Sequence, residues 1–196
     1  KNKIFTFGSF NNFQKISDKT ISTWSKILNN TSSRIILKNS IMNNDEINQN
    51  LIEKFLVNNV NKDKIQIINY QKESSDHLSL YDQIDLALDT FPYNGVTTTF
   101  ESVLMGVPVL TIKGFNFNSR CGESINQNLK LENFIAEDYS DYYLKALNFY
   151  ENKSYLSNVR KSLRDRVISS PLFDNKNFAL VFSEKMREIW ENFLKD

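Results

Sequence analysis

The chain alternates short, uniformly apolar runs with longer stretches whose apolar residues recur at helical spacing. Lys3–Phe7, Arg34–Leu37, Ile65–Ile68, Asp85–Leu88 and Pro108–Ile112 are rich in Ile, Val, Leu and Phe and lack strict polar alternation. Strands covered on both faces have that character, so these runs predict a parallel sheet. Between them, Ser17 and Asp18 offer N-caps to a helix carrying Ile21, Trp24 and Leu28 on one face, and Asp45–Val57 sets Ile47, Leu51, Ile52 and Phe55 at helical spacing. Ser74–Tyr81, Thr98–Met105 (stopped by Gly106 and Pro108) and Ser119–Leu129 predict three more helices. Tyr139–Tyr150, Tyr155–Val167 and Asn177–Leu194 then follow as consecutive helices, with a Ser169-Ser170-Pro171 break before the last. Strand–helix alternation repeated in this way predicts an α/β fold, a doubly wound parallel sheet with right-handed crossovers and a helical C-terminal tail. The expected division is a core over residues 1–135 and a helical extension over 136–196.

Composition narrows the function more than the fold. Lys and Arg number 24 against 23 Asp and Glu, a net charge of +1, which argues against a nucleic-acid partner or an anionic membrane surface. No apolar run approaches the roughly 20 residues of a membrane span. One Cys and one His cannot assemble a tetrahedral zinc site. Cys121 has no partner for an internal disulfide, and a cytoplasmic location is expected. The opening KNKIFTF reads as a strand rather than a signal peptide, and so abrupt a start is expected of a piece from a longer protein.

Ligands of open parallel sheets bind beyond the carboxyl ends of the strands. Two loops there are unusual. Gly8-Ser9-Phe10-Asn11-Asn12-Phe13-Gln14-Lys15 follows the first strand. Gly8 is expected to permit a sharp turn, and Lys15 supplies a point charge suited to a phosphate, although an exposed surface lysine is the plainer reading. The loop is neither GxGxxG nor a Walker A sequence, which leaves dehydrogenase and P-loop readings weak. Asp89-Thr90-Phe91-Pro92-Tyr93-Asn94-Gly95-Val96 leads from the fourth strand into a helix opening on Thr97-Thr98-Thr99. A helix N-terminus attracts anions through unpaired N–H groups and its dipole, and Glu101, one turn in, is placed to accept hydrogen bonds from sugar hydroxyls. The alternative is that Thr97 caps the helix and Glu101 offsets its dipole. His77 follows the third strand, either as a cap or surface residue or as part of a site. Asp85 and Asp89 read as structural rather than metal-binding, and no Asp-x-Asp signals a divalent metal.

The segment Asp85–Thr111, DLALDTFPYNGVTTTFESVLMGVPVLT, resembles the C-terminal catalytic lobe of the O-linked N-acetylglucosamine transferase family, including its SPINDLY branch. Thr6–Ile16 (TFGSFNNFQKI), Asn118–Arg120 with the helix after it, and Ile168–Phe173 (ISSPLF) agree with it. The resemblance implies a Rossmann-like, nucleotide-sugar-binding lobe of a GT-B glycosyltransferase, inverting and metal-independent, whose parent chain supplies the N-terminal lobe and often tetratricopeptide repeats. It implies no cofactor, a nucleotide sugar and a protein acceptor as partners, and transfer to Ser or Thr hydroxyls. By that likeness Lys15 neutralises the leaving diphosphate, Asn12 contacts the phosphate region, and Thr97 and Thr98 bind the diphosphate. Glu101 holds the ribose, His77 lies near the nucleotide, and the Tyr70–Ser74 loop meets the base. Val96 stands where animal members carry His, Glu101 where their carboxylate is Asp, and Glu123 where an uncharged residue is expected. The donor is either UDP-N-acetylglucosamine or, as in the SPINDLY branch, GDP-fucose. A non-catalytic nucleotide-sugar-binding or scaffold module is the competing class, and Phe178, Val181, Phe182, Ile189 and Trp190 on the final helix are expected to cover a neighbour.

Overall fold

A computed structural model describes residues 4–38, 44–70 and 72–195. Six strands, β1 (Thr6–Ser9), β2 (Arg34–Lys38), β3 (Ile65–Ile68), β4 (Leu86–Leu88), β5 (Val109–Ile112) and β6 (Ile135–Ala136), form one sheet in the order β3-β2-β1-β4-β5-β6. Every pairing is parallel. The chain steps outward from β1 to β3, then returns to the other side of β1 with β4. The loops leaving β1 and β4 therefore part at the switch point where a doubly wound sheet opens its ligand crevice.

The helices are α1 (Asp18–Asn29), α2 (Asp45–Val57), α3 (Ser74–Ser79), α4 (Thr97–Leu104), α5 (Phe117–Asn128), α6 (Tyr139–Glu151), α7 (Lys153–Ile168) and α8 (Asn175–Phe193). Helix α1 packs on α2 and α6, and α4 packs on α5 and α7. Phe7, Ile35, Ile36, Leu37, Leu86 and Leu110 from the strands are buried with Trp24, Ile27, Val103 and Leu163 from the helices. Uniform burial along β1, β4 and β5 accounts for the unbroken apolar runs that announced them.

The sequence pattern misplaces two features. The first strand is Thr6–Ser9 rather than Lys3–Phe7: Ile4 is exposed, Lys3 lies outside the described residues, and Gly8 is paired on both sides, with Ile36 and Ala87. Gly8 is thus a strand residue and not a turn. A Cβ there would lie 2.2 Å from Ile84 Cδ1, so its small size serves packing across the sheet. The sixth strand, Ile135–Ala136, is two residues long, too short to leave a periodic signal, and it straddles position 135.

Helices α6 and α7 bury Tyr142, Ala146, Phe149, Leu156, Leu163 and Val167 against the body. Helix α8 buries no residue at all, and Phe178, Val181, Phe182, Ile189 and Trp190 are exposed along it. Among the described residues no helix is long and apolar enough to cross a membrane.

Candidate functional site

Two clusters of polar groups meet at α4, one at its N-terminus and one a turn further in. The first is organised by Asp89, at the C-terminal end of β4. Its Oδ1 accepts hydrogen bonds from the backbone N–H of Thr90 (2.9 Å) and Gly95 (2.8 Å) and from Asn11 Nδ2 (3.1 Å). Its Oδ2 accepts from Thr111 Oγ1 at 2.8 Å. Burial is the dominant effect on this carboxyl and pushes its pKa up to about 6, against the pull of the four donors. Asp89 gathers the Thr90–Gly95 loop under the helix. The Asp85 carboxylate accepts instead from the Thr6 N–H at 2.8 Å, so both acids serve the backbone.

Asn94 completes the loop. Its side-chain amide donates to the Thr90 carbonyl (2.8 Å), its backbone N–H donates to the Asn118 carbonyl (3.0 Å), and its Oδ1 accepts from the Gly122 N–H (3.3 Å). The Asn118–Arg120 motif is thereby latched to the loop. Gly122 is required for that approach, because a Cβ there would sit 2.4 Å from Thr111 Oγ1 and 2.6 Å from Asp89 Oδ2. Glu123, buried one residue on, accepts from Arg120 Nε at 3.1 Å, which compensates a charge unexpected at that place.

Asn11 and Asn12 divide the work of the β1 loop. Asn12 Oδ1 accepts from the Gln14 N–H at 3.0 Å and caps the short 3-10 turn Phe13–Lys15. Asn11 is buried and joins the two loops, donating to Asp89 and Thr90 and accepting from Thr98 Oγ1. The turn aims Lys15 across the crevice: Nζ donates to the Asn94 carbonyl at 3.0 Å and lies 4.0 Å from the centre of the Tyr93 ring. Lost hydration lowers the Lys15 pKa from the usual lysine value, and the Asp89 charge opposes that shift.

Helix α4 opens without a capping side chain. Val96 occupies the cap position, so Thr97 is the first helical residue and not the cap. Thr97 is exposed, Thr98 Oγ1 is tied to Asn11, and Thr99 Oγ1 donates to the Gly95 carbonyl at 3.0 Å. The first turn thus offers backbone N–H groups without a capping side chain and an exposed Thr97, three residues after the Asn94 carbonyl that holds Lys15.

In the second cluster Glu101 Oε2 lies 2.9 Å from His77 Nε2 and 3.5 Å from the Tyr81 hydroxyl, which donates to the Thr98 carbonyl at 3.1 Å. On the far side of the imidazole, Lys38 Nζ is 2.5 Å from His77 Nδ1. Burial, reinforced by the Glu101 charge, raises the Tyr81 phenol well above its ordinary value. Tyr70 is exposed at the mouth of this cluster, 5.9 Å from Lys38 Nζ by its ring centre, while Gln71 lies outside the described residues. The structure thus brings Lys15 to the loop before α4, Thr97 and Thr98 into its first turn and Glu101 with His77 one turn further on, while Asn12 caps its own 3-10 turn. Asn11, Lys38, Tyr81 and the central part played by Asp89 were not read from the sequence, because each is defined by partners far away along the chain.

A family model described as glycosyl transferase family 41 matches residues 1–182. A tomato (Solanum lycopersicum) protein described as a probable UDP-N-acetylglucosamine–peptide N-acetylglucosaminyltransferase SPINDLY is 33% identical over 98% of this chain, and its Arabidopsis thaliana counterpart is 31% identical over 99%. The chain spans about one fifth of those relatives, 21% of each. Among solved structures, a mutant O-GlcNAc transferase from Thermobaculum terrenum superposes with a TM-score of 0.90 at 26% identity, over 97% of this chain and 37% of that one. Anabaena Alr3699/HepE in complex with UDP and glucose shares the fold at a TM-score of 0.65 and 13% identity, over 93% of this chain and 49% of that one. With the family model matched over nearly its whole length, the chain belongs to glycosyl transferase family 41, and its fold is that of a GT-B lobe.

Proposed function

We propose that this chain is the nucleotide-sugar-binding lobe of an inverting, metal-independent transferase that moves N-acetylglucosamine or fucose onto Ser or Thr hydroxyls of proteins. The observation that carries the reading is the uncapped N-terminus of α4 with Lys15 held at the Asn94 carbonyl of the loop that leads into it. Breaking a sugar–diphosphate bond leaves negative charge on the diphosphate. Fixed N–H dipoles, the Thr97 hydroxyl and the Lys15 ammonium stabilise charge at that place without reorganising. Glu101, one turn along, accepts from the ribose hydroxyls, and the Tyr70 segment borders the base. The names borne by the relatives support a UDP-N-acetylglucosamine donor and a peptide acceptor, whereas Glu101 in place of Asp supports GDP-fucose.

In this reading the acceptor and its general base come from the remainder of the parent chain. Positioning of two reactants in a cleft supplies about 7–11 kcal/mol of a barrier. The 196-residue chain alone should therefore bind donor and transfer no sugar. Calorimetry with UDP and with GDP tests the reading: binding of one in preference to the other names the donor class, and no heat with either at millimolar ligand overturns it.

A further inference from the structure

Lys38 has no part in the reading above, yet it is nearly buried, at 5% exposure, at the end of β2. Its ammonium points at the Nδ1 of His77, whose Nε2 meets Glu101. The hydrogen-bond chemistry of the three groups allows one order. An ammonium has three donors and no acceptor, and a carboxylate has only acceptors. Nδ1 must therefore accept from Lys38, and Nε2 must carry the ring proton and donate it to Glu101.

We infer that Lys38 is a positioning residue which fixes the Nε2–H tautomer of His77 and, through it, the orientation of the Glu101 carboxylate. The second half rests on the nucleotide reading, in which Glu101 takes the ribose.

The chain Lys38–His77–Glu101 runs from β2 through α3 to α4 and ties the first two elements to the helix that carries Thr97 and Thr98. Among the described residues Glu101 is held through Oε2, by His77 and near Tyr81, which leaves its second oxygen for a ligand with a direction set from behind by Lys38 and His77. Lost hydration lowers the Lys38 pKa from the usual lysine value, and the Glu101 charge opposes this. Phe10 and Tyr81 pack around the imidazole with ring centres 6.0 and 5.8 Å from it, limiting its rotation.

His77 is the single histidine of the chain, so its ring nitrogens can be read without assignment ambiguity. Long-range proton–nitrogen correlation spectra of the 196-residue chain, labelled at histidine, should show a protonated Nε2 and an unprotonated, hydrogen-bonded Nδ1. Lys38→Met should move the Nδ1 resonance downfield as its donor is withdrawn, and Lys38→Arg should keep it near the parent position. In the same variants, affinity for the preferred nucleoside diphosphate should fall about tenfold in Lys38→Met, while affinity for inorganic pyrophosphate stays unchanged. A proton on Nδ1 in the parent chain overturns the inference even if the Met variant does not fold. So does an Nδ1 resonance or a nucleotide affinity that ignores Lys38→Met. A parent chain with the expected tautomer that binds neither UDP nor GDP overturns the nucleotide reading instead, and leaves the Lys38–His77 arrangement standing.

Discussion

Lys15 and Asn94, 79 residues apart, meet at 3.0 Å where an ammonium donates to a backbone carbonyl. The contact bears on the plainer reading of Lys15 as a freely exposed lysine. A solvent-exposed lysine would have a free side chain, whereas this one is held by a carbonyl and an aromatic face directly beside the open end of α4. In the diphosphate reading proposed above, a charge held in this way loses little side-chain entropy on meeting an anion. Lys15→Ala should weaken binding of a nucleoside diphosphate by about 1.5–3 kcal/mol, as for a charge-assisted hydrogen bond, and leave nucleoside binding nearly unchanged. Calorimetry on parent and variant measures both, and equal diphosphate affinity would place Lys15 outside the site.

Asp89 gives the loop a pH dependence of unusual sign. Its folded-state pKa, about 6, lies above the 3.8 of an unperturbed aspartate. The folded chain consequently binds more protons than the unfolded one between those values. This group's contribution to stability is therefore fully present below about pH 4 and is lost as pH rises through 6, a change of about 3 kcal/mol. Asp89→Asn keeps an acceptor for Thr90, Gly95 and Asn11 and should flatten the dependence between pH 4 and 6. Asp89→Ala strands buried donors and should cost 3 kcal/mol or more, on the order expected for a broken buried network. Urea unfolding midpoints of the three proteins across that pH range are the measurement.

The legibility of this chain follows the range of the interactions involved. Strands β2, β4 and β5 are visible because burial on two faces is written into consecutive residues, and the partly covered edge strand β3 because it sets three isoleucines within four residues. The residues at α4 are visible for a similar reason: a Pro-Asn-Gly turn followed by threonines is a local sequence, and the place of a loop after a strand follows from the fold class. Asn11 is indistinguishable from Asn12 in such a reading. Only the fold shows that Asn11 spans 78 residues to Asp89 while Asn12 reaches just two residues on, to Gln14. Lys38 sits at the end of an apolar run with nothing beside it to suggest that a histidine 39 residues on is its partner.

Gly95 is the residue on which the first cluster depends sterically. A Cβ there would lie 2.4 Å from both Asn11 Oδ1 and Thr98 Oγ1, with Thr99 Oγ1 at 3.0 Å. None of these is the far end of a flexible side chain, since Asn11 is fixed by Asp89 and the threonines belong to the first turn of α4. Gly95→Ala should push the β1 loop away from the helix. The expected cost is about 1–3 kcal/mol of stability, in the range of overpacked cores, together with loss of diphosphate binding. A Gly95→Ala protein that binds diphosphate like the parent would show that the Asn11–Thr98 link is dispensable.

Among the described residues helix α8 is the one long helix without a buried residue. Asp174 accepts from the Asn177 N–H at 3.0 Å and starts it, but none of its residues from Asn175 to Phe193 is buried. Phe178, Phe182, Ile189 and Phe193 recur at spacings of four, seven and four, the stripe of an amphipathic helix, and Phe178 and Phe193 are each 69% exposed. A 19-residue helix with no packed face is marginal in water, because helices gain most of their stability from burial of such a stripe. Two consequences follow for the isolated chain. Amide exchange in α8 should be fast while β1, β2 and β4 stay protected, since local opening there disturbs no core contact. Ending the chain at Asp174 should leave the thermal midpoint within about 2 °C of the parent, whereas loss of even one packed Leu or Phe costs several kcal/mol and shifts a domain of this size by more. The shortened chain should also be more soluble, having lost an exposed apolar patch. Scanning calorimetry and hydrogen exchange on both lengths check this, and a large fall in midpoint on truncation would mean that α8 packs against the body in solution.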